Sequence, residues 1–133
     1  MTDNAERVND FYTLLLTDFE AAAEKYLVDD VVWENPLPEL VPFGGVYHGK
    51  QGLLDYLTQL ASTIEMQPLH WIDIVGDGDV VAAIGIEENT LVKPTGKRYT
   101  MPCVHVLRFD VHGKVTHVRE YNDIRGMLEA FTA

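Results

Sequence analysis

Residues 93–123 constrain the fold of this chain more than any other segment, because they read as two alternating strands joined by a turn at His112-Gly113-Lys114. Side chains alternate between the two faces of a strand, so Val118, Glu120 and Asn122 share one face of the second strand. The facing side of the first strand carries Met101, Cys103, His105, Leu107 and Phe109. A carboxylate, an amide and an imidazole on a mainly apolar face exceed what a plain core requires. The pattern therefore predicts a sheet that lines a pocket.

The remaining sequence predicts helices first and strands later. Apolar residues recur at helical spacing in residues 8–16, 22–27 and 53–64, and a β-rich run at Val31-Val32-Trp33 is stopped by Asn35-Pro36. From residue 70 onward the chain alternates, with a hairpin signal at Gly76-Asp77-Gly78-Asp79. The order predicts two or three helices around one strand, and then a four-stranded antiparallel meander. We therefore expect a single α+β domain over residues 1–133, with helices covering one curved sheet face.

Charge and composition narrow the possible partners. The chain has 133 residues and a formal net charge of −11, which disfavours nucleic acid and anionic membranes, since both attract cationic surfaces. No apolar run approaches the roughly 20 residues of a spanning helix, and residues 1–12 do not resemble a signal peptide. We expect a cytoplasmic protein. Cys103 is the only cysteine, and neither an HxH nor an HExxH motif occurs, so we expect no metal and no cofactor.

Four motifs carry a resemblance to a known family: VDDVVWENP, PFGGVYHGKQGLLDYL, PTGKRY and HGKVTHVREYND. Together they resemble the SnoaL-like group, whose superfamily also holds nuclear transport factor two, ketosteroid isomerases, scytalone dehydratase and limonene-epoxide hydrolase. The resemblance covers residues 6–131. It implies a cone-shaped, highly bent antiparallel sheet wrapped around N-terminal helices, with a deep hydrophobic pocket at one end. It also implies a homodimer, in which a partner would cover outward apolar residues such as Val104 and Val106.

The same resemblance nominates catalytic residues. Asn35 precedes Pro36 where ketosteroid isomerases carry a catalytic aspartate, and an amide cannot shuttle a proton. Asn35 also matches the asparagine that orients water in limonene-epoxide hydrolase, whose two catalytic acids correspond to Glu88 and Glu120. That enzyme's arginine and tyrosine are replaced here by Ile86 and Trp33, and both departures argue against epoxide hydrolysis.

With epoxide hydrolysis disfavoured, the candidate residues still favour proton transfer by a carboxylate in an apolar cavity. Burial is expected to raise the pKa of Glu120, which makes it the principal candidate base, although Glu88 and Glu120 could instead face solvent. His70 and His105 share inward parity with apolar neighbours and could act as acids or simply fill the core. The predicted catalytic residues are Asn35, Glu88, His105 and Glu120. The predicted substrate-binding residues are Tyr12, Trp33, Tyr56, Leu60, His70, Ile86, Met101, Cys103 and Asn122.

Three functions are compatible with these residues. The first is a cofactor-independent enzyme that isomerises, dehydrates or cyclises a small apolar oxygenated substrate, as SnoaL-like polyketide cyclases and ketosteroid isomerases do. The second is a non-catalytic module that binds a small hydrophobic ligand or a second copy of itself. The third is an epoxide hydrolase. Convergence of the polar candidates on one closed cavity would favour an enzyme.

Overall fold

The computed structural model describes residues 4–133. Its helices and strands follow one another in the predicted order. The N-terminal half contains α1 (Asn4–Thr17), α2 (Phe19–Tyr26), β1 (Leu27–Asn35), β2 (Gly45–His48) and α3 (Gly49–Thr63). The second half contains β3 (Ile64–Glu65), β4 (His70–Asp77), β5 (Val80–Val92), β6 (Arg98–Phe109), β7 (Val115–Asn122) and α4 (Arg125–Phe131). In this described part of the chain, no helix is both long and apolar enough to cross a membrane.

Local sequence signals explain where several elements begin and turn. Asp18 caps α2, because its carboxylate accepts a hydrogen bond from the backbone N–H of Ala21 at 3.1 Å. The turn between β4 and β5 places Gly78 at φ +61°, a left-handed conformation that glycine adopts without a steric penalty. The predicted hairpin is confirmed.

The sheet has the order β2-β1-β7-β6-β5-β3, and β4 also pairs with β5. Strands β4 to β7 form the predicted antiparallel meander. β1 instead runs parallel to β7, with Trp33 beside Val118. The sheet is therefore mixed, and the expectation of a wholly antiparallel sheet is wrong at this pair. β1 enters the sheet from α2 rather than through a hairpin with β7, so no tight turn dictates an antiparallel direction.

The α+β cone is confirmed: the sheet curls strongly, and its inner face packs against the helices. Inward residues on β6 and β7, such as Leu107 and Val118, are buried together with Phe11 of α1 and Leu53 of α3. The sheet residues of opposite parity on β6 are only half-buried or exposed. A curved sheet wrapped over helices leaves a space at its open end, and the candidate site lies there.

Candidate functional site

The inner face of the sheet and helices α1 and α3 enclose a cavity of about 60 Å³. Its polar lining consists of Tyr12, Trp33, Asn35, Tyr56, Glu87, Cys103, His105 and Glu120. The rest of its lining is apolar: Leu15, Leu16, Phe43, Leu57, Leu60, Met66, Leu69, Met101 and Met127. A buried water needs roughly 10–15 Å³ of such space, so the cavity has room for a few waters or a very small ligand. A larger ligand requires the walls to move.

Two larger grooves border the cavity from outside. One, of about 650 Å³, lies between α1 and α3, and the other, of about 630 Å³, lies between α1 and the segment that leads into β4. Leu16 and Met66 line the cavity and both grooves. Leu16 is 60% exposed. These two side chains therefore lie where the cavity meets both grooves.

Glu120 lies in the most densely hydrogen-bonded part of the cavity wall. The residue is buried, with only 7% of its surface exposed. Its Oε2 accepts hydrogen bonds from Trp33 Nε1 at 2.8 Å and from the Tyr56 hydroxyl at 2.6 Å. Its Oε1 lies 3.1 Å from His105 Nε2 and 3.4 Å from Asn122 Nδ2. We call these five residues the Glu120 network.

The electrostatics of Glu120 differ from the expectation. Burial alone would raise its pKa, but the charge of His105 and the donated hydrogen bonds outweigh burial and lower the pKa to about 2. Desolvation acts in the predicted direction, but the prediction of a raised pKa for Glu120 is wrong. A carboxylate that stays ionised and has both oxygens occupied by donors is a weak base. It serves better as an anchor for its neighbours.

His105 links Glu120 to the cavity through Tyr12. The His105 Nδ1 lies 2.5 Å from the Tyr12 hydroxyl, while Nε2 faces Glu120. Burial alone would lower the pKa of His105, but its interactions with Tyr12 and Glu120 hold that pKa well above the ordinary value. Burial raises the pKa of Tyr12 to about 12, so its hydroxyl keeps its proton. With an imidazolium donating to its oxygen, Tyr12 has that proton available for an oxygen of a ligand.

A second buried acid lines the cavity, and it is Glu87 rather than Glu88. Glu87 is 6% exposed, whereas Glu88 is exposed and lies outside the lining. The strand register shifts between Glu87 and Thr90, and Asn89 adopts the left-handed φ of 54°. Glu87 shares the inward parity of Val81 and Ala83, so Glu88 faces outward by alternation, and the bulge that follows brings Thr90 inward as well. The resemblance therefore selected the acid one residue too late.

The environment of Glu87 is the opposite of that of Glu120. Burial raises the pKa of Glu87 to about 7, and the nearby hydroxyl of Tyr99 only partly opposes that effect. Its Oε2 is buried without a hydrogen-bond partner among the described residues. A carboxyl that titrates near neutral pH at a cavity wall has the properties of a general base.

The other predicted residues divide into those at the cavity and those away from it. Asn35 donates to the Tyr56 hydroxyl at 2.9 Å and accepts from Asn122 at 3.1 Å, so it holds the Glu120 network together. The remaining predicted residues that line the cavity are Trp33, Leu60, Met101 and Cys103. Whether they contact a substrate stays a prediction.

His70, Ile86 and Asn122 do not line the cavity. Ile86 has the outward parity of β5, and His70, its partner on β4, faces outward because of a second irregularity in the sheet. The register of β4 shifts between Trp71 and Asp73, so His70 and Ile74 no longer share a face. His70 is exposed, and its neighbour Trp71 packs toward the site instead, with ring centroids 4.9 Å from Tyr12 and 5.4 Å from His105. Trp71 was not among the residues predicted from the sequence. Only the bulge, which simple alternation does not reveal, brings it inward.

Metal ligation has no geometric support here. Within residues 4–133, no group of three or more histidine, cysteine, aspartate and glutamate side chains is arranged to hold an ion. The ionisable groups of the cavity pair with one another and with hydroxyl and indole groups. The chemistry that these side chains themselves can supply is proton transfer and hydrogen bonding.

Comparison with known proteins identifies the family. The SnoaL-like domain matches residues 8–118. No match was found among curated proteins.

Solved structures show the same fold. A protein from Mesorhizobium loti described as a SnoaL-like polyketide cyclase is 29% identical, with a TM-score of 0.71 over 90% of this chain and 99% of that one. An NTF2-like protein of unknown function from Burkholderia pseudomallei is 23% identical, with a TM-score of 0.85 over 100% of both chains. A protein from Rhodopseudomonas palustris described as an isomerase is 19% identical, with a TM-score of 0.77 over 98% of this chain and 97% of that one. With the fold and the domain match in agreement, the chain belongs to the SnoaL-like family.

Proposed function

We propose that this protein is a cofactor-independent enzyme that moves a proton within a small, largely apolar substrate bearing a carbonyl or enol oxygen. The reaction would be of the isomerase, dehydratase or cyclase type. One observation carries the proposal: Glu87, a buried carboxyl with a pKa of about 7, borders the same apolar cavity as Tyr12, which has a proton to donate. Structural relatives described as a polyketide cyclase and as an isomerase support it.

In the proposed mechanism Glu87 is the base and Tyr12 is the electrophile. The substrate carbonyl oxygen accepts a hydrogen bond from the Tyr12 hydroxyl, and the Glu87 carboxylate removes a proton from the adjacent carbon. The electron pair of that C–H bond moves into an enolate, whose oxygen charge the Tyr12 hydrogen bond stabilises. The protonated Glu87 then returns the proton to another carbon, which isomerises the substrate, or to a departing hydroxyl, which dehydrates it.

His105 and Glu120 act through Tyr12 in this scheme, and both are positioning residues. His105 donates to the Tyr12 oxygen and so makes the hydroxyl a stronger donor. Glu120 holds the charged imidazole in place, and Trp33 and Tyr56 hold Glu120. This role replaces the earlier hypothesis that Glu120 itself transfers the proton. Asn35 supports the arrangement from behind through Tyr56.

Deuterium exchange tests the proposal without knowledge of the natural substrate. A panel of small cyclic and aryl ketones is incubated with the protein in D₂O, and loss of the proton next to the carbonyl is followed by NMR. Glu87→Gln should slow exchange about 100-fold or more, the usual scale for loss of a general base. Glu88→Gln is the matched control, because it removes the same charge from the exposed neighbouring residue.

Two outcomes would overturn the assignment. Exchange by Glu87→Gln at the wild-type rate would show that Glu87 is not the base. Thermal stabilisation by ketones without any exchange would make the protein a ligand-binding module instead.

We also propose that the protein is a homodimer that pairs through the outer face of the sheet. Ile84, Val104 and Val106 are only half-buried there, and Tyr121 is 52% exposed. Burial of this apolar surface would stabilise a second copy on the sheet, in keeping with the family resemblance. Light scattering at micromolar concentration should give twice the chain mass. A monomer mass would refute the proposed dimer. If the dimer forms through this face, Val104→Asp should convert it to monomers.

A further inference from the structure

Glu87 belongs to a cluster of three polar side chains, each with a buried oxygen that has no hydrogen-bond partner among the described residues. These oxygens are Glu87 Oε2, Thr90 Oγ1 and Tyr99 OH. Thr90 and Tyr99 are cross-strand partners on β5 and β6, and Glu87 pairs with Met101, two residues further along β6. We call Glu87, Thr90 and Tyr99 the Glu87 cluster.

The fold places these three groups together through the bulge in β5. Residues 88 and 89 lie opposite the single residue Thr100, so the bulge adds one residue to β5. Asn89 is fixed by hydrogen bonds from its N to Thr100 Oγ1 and from Arg98 Nη1 to its O. Glu87 and Thr90 therefore both face inward although they are three positions apart. α4 packs over this end of β6, with Gly126 beside the Tyr99 side chain. The cluster is thus enclosed on a rigid part of the sheet.

Three adjacent buried polar atoms without partners are unusual. Nearly all buried polar groups in native proteins are hydrogen-bonded, and leaving one unpaired costs free energy comparable to a lost hydrogen bond. Both hydroxyls act on the carboxyl as weak hydrogen-bond donors that lower its pKa, yet no contact among the three atoms has the distance and angle of a full hydrogen bond. Groups that interact at a distance too long or an angle too poor for direct bonding are the usual setting for a bridging molecule.

We propose that Glu87 Oε2, Thr90 Oγ1 and Tyr99 OH form a built site for one ordered water molecule that bridges all three. The chemistry matches, because water can donate to the carboxylate oxygen and to Thr90 while it accepts from the Tyr99 hydroxyl. Buried waters make about three hydrogen bonds to such groups. One carboxylate oxygen and two neutral hydroxyls form a poor donor set for a metal cation.

The bound water gives Tyr99 and Thr90 a role as positioning residues. It fixes the carboxyl plane of Glu87 by holding Oε2 away from the cavity. Glu87 still borders the cavity, so Oε1 is the oxygen that meets a ligand. The other ionisable groups that act on Glu87 are Glu120 from β7 and His105 from β6, and their effects oppose one another. Burial therefore sets the raised pKa of Glu87, and the local hydroxyls with their water are the neighbours that oppose it.

NMR on the whole protein tests the site directly. Water–protein NOEs should detect a long-lived water beside the Thr90 amide in the wild type. Glutamate labelled with ¹³C at the carboxyl carbon reports the ionisation of Glu87, with assignment by Glu87→Gln. Tyr99→Phe and Thr90→Val should each abolish the water signal and lower the ratio of ionised to protonated Glu87 at pH 7 about tenfold, since the carboxylate loses a donor.

Two controls keep the test sharp. Thr90→Ser keeps the hydroxyl and should retain both the water and the wild-type titration. Tyr26→Phe removes a hydroxyl from another buried tyrosine, one that already bonds Asp10, and should leave Glu87 unchanged.

The inference is overturned if no water signal appears, or if Tyr99→Phe and Thr90→Val leave the Glu87 titration unchanged. The readouts do not involve turnover, so this inference and the proposed enzyme activity fail separately. Loss of exchange in Glu87→Gln without a bound water would refute only the water site. A bound water with no exchange activity would refute only the enzyme.

Discussion

Glu87 on β5 and Glu120 on β7 face the same cavity, are buried to nearly the same degree, and have opposite electrostatics. Glu120 is surrounded by donors from β1, α3, β6 and β7, which lower its pKa to about 2. Glu87 has an unpartnered oxygen, and burial raises its pKa to about 7. Burial alone therefore does not determine which carboxyl can act as a base. The number and charge of the donors that reach it do.

The largest expected effect is on the stability of the Glu120 network. Glu120→Gln leaves the His105 charge buried without its counter-ion, and removing one member of a buried ion pair costs about 3–5 kcal/mol. Glu87→Gln should instead raise the free energy of unfolding at pH 7, by up to about 3 kcal/mol, because it removes the cost of ionising a buried carboxyl. Urea unfolding at pH 7 measures both values, with Glu88→Gln as the exposed control. Equal losses for the two buried positions would contradict the contrast.

The pH dependence of stability separates the two acids next. The folded-state pKa of Glu87 is raised to about 7 from the ordinary 4.5, so its contribution to stability is fully present below pH 4.5 and is lost as pH rises through 7. The folded-state pKa of Glu120 is lowered to about 2, so its contribution is present above pH 4.5 and is lost as pH falls through 2. Each change is on the order of 3 kcal/mol.

Urea unfolding midpoints at pH 5 and pH 8 test the loss of stability that is expected from Glu87 as pH rises through 7. His105 also loses its stabilising charge as pH rises through its raised pKa, so the wild type alone does not isolate Glu87. The difference between the wild type and Glu87→Gln does isolate it. Wild type should lose more stability than Glu87→Gln between pH 5 and pH 8. Equal losses of stability in the two proteins would show that Glu87 does not titrate in this pH range.

A smaller effect on stability is expected at Tyr12, together with a large effect on turnover. Tyr12→Phe leaves a buried His105 donor without its acceptor, which costs about 1–3 kcal/mol. Because the phenyl ring remains, ketone binding should persist. Deuterium exchange should fall about 100- to 1000-fold, the scale for loss of one donor to a developing oxyanion. Exchange at the wild-type rate would exclude Tyr12 as the electrophile.

The smallest effect is expected at His70. His70 is exposed beyond the β4 bulge, so His70→Ala should change the free energy of unfolding by no more than about 0.5 kcal/mol. Trp71→Ala should cost more, roughly 2 kcal/mol, because its ring packs on Tyr12 and His105. Thermal or urea unfolding compares the pair. A larger loss at His70 than at Trp71 would mean that the parity of β4 is wrong.

The sequence predicts one part of the site well because β6 and β7 alternate regularly there. His105 and Glu120 are cross-strand partners, and both face inward as their parity requires. β5 and β4 each contain a bulge. β5 is also apolar on both faces, with Ile84 and Ile86 on one face and Val81 and Ala83 on the other. Alternation therefore could not distinguish Glu87 from Glu88, nor Trp71 from His70.

The pKa of Glu120 could not be predicted from its own strand. The donors that lower it include Trp33 and Tyr56, which are 87 and 64 positions away in the chain. Parity shows that a carboxyl faces an apolar interior, and the physical expectation is then a raised pKa. Only the three-dimensional contacts show how many donors share that interior. The same is true of Glu87, whose neighbour Tyr99 contributes a hydroxyl that forms no direct hydrogen bond.

The central claim is that Glu87, rather than Glu120, titrates near neutral pH. Carboxyl-¹³C NMR of the wild-type protein from pH 2 to pH 9, with signals assigned by Glu87→Gln and Glu120→Gln, measures both groups in one experiment. We predict a midpoint near 7 for Glu87, and a midpoint near 2 for Glu120. A midpoint near 7 for Glu120 together with one near 4.5 for Glu87 would contradict the account and return Glu120 to the role of the base.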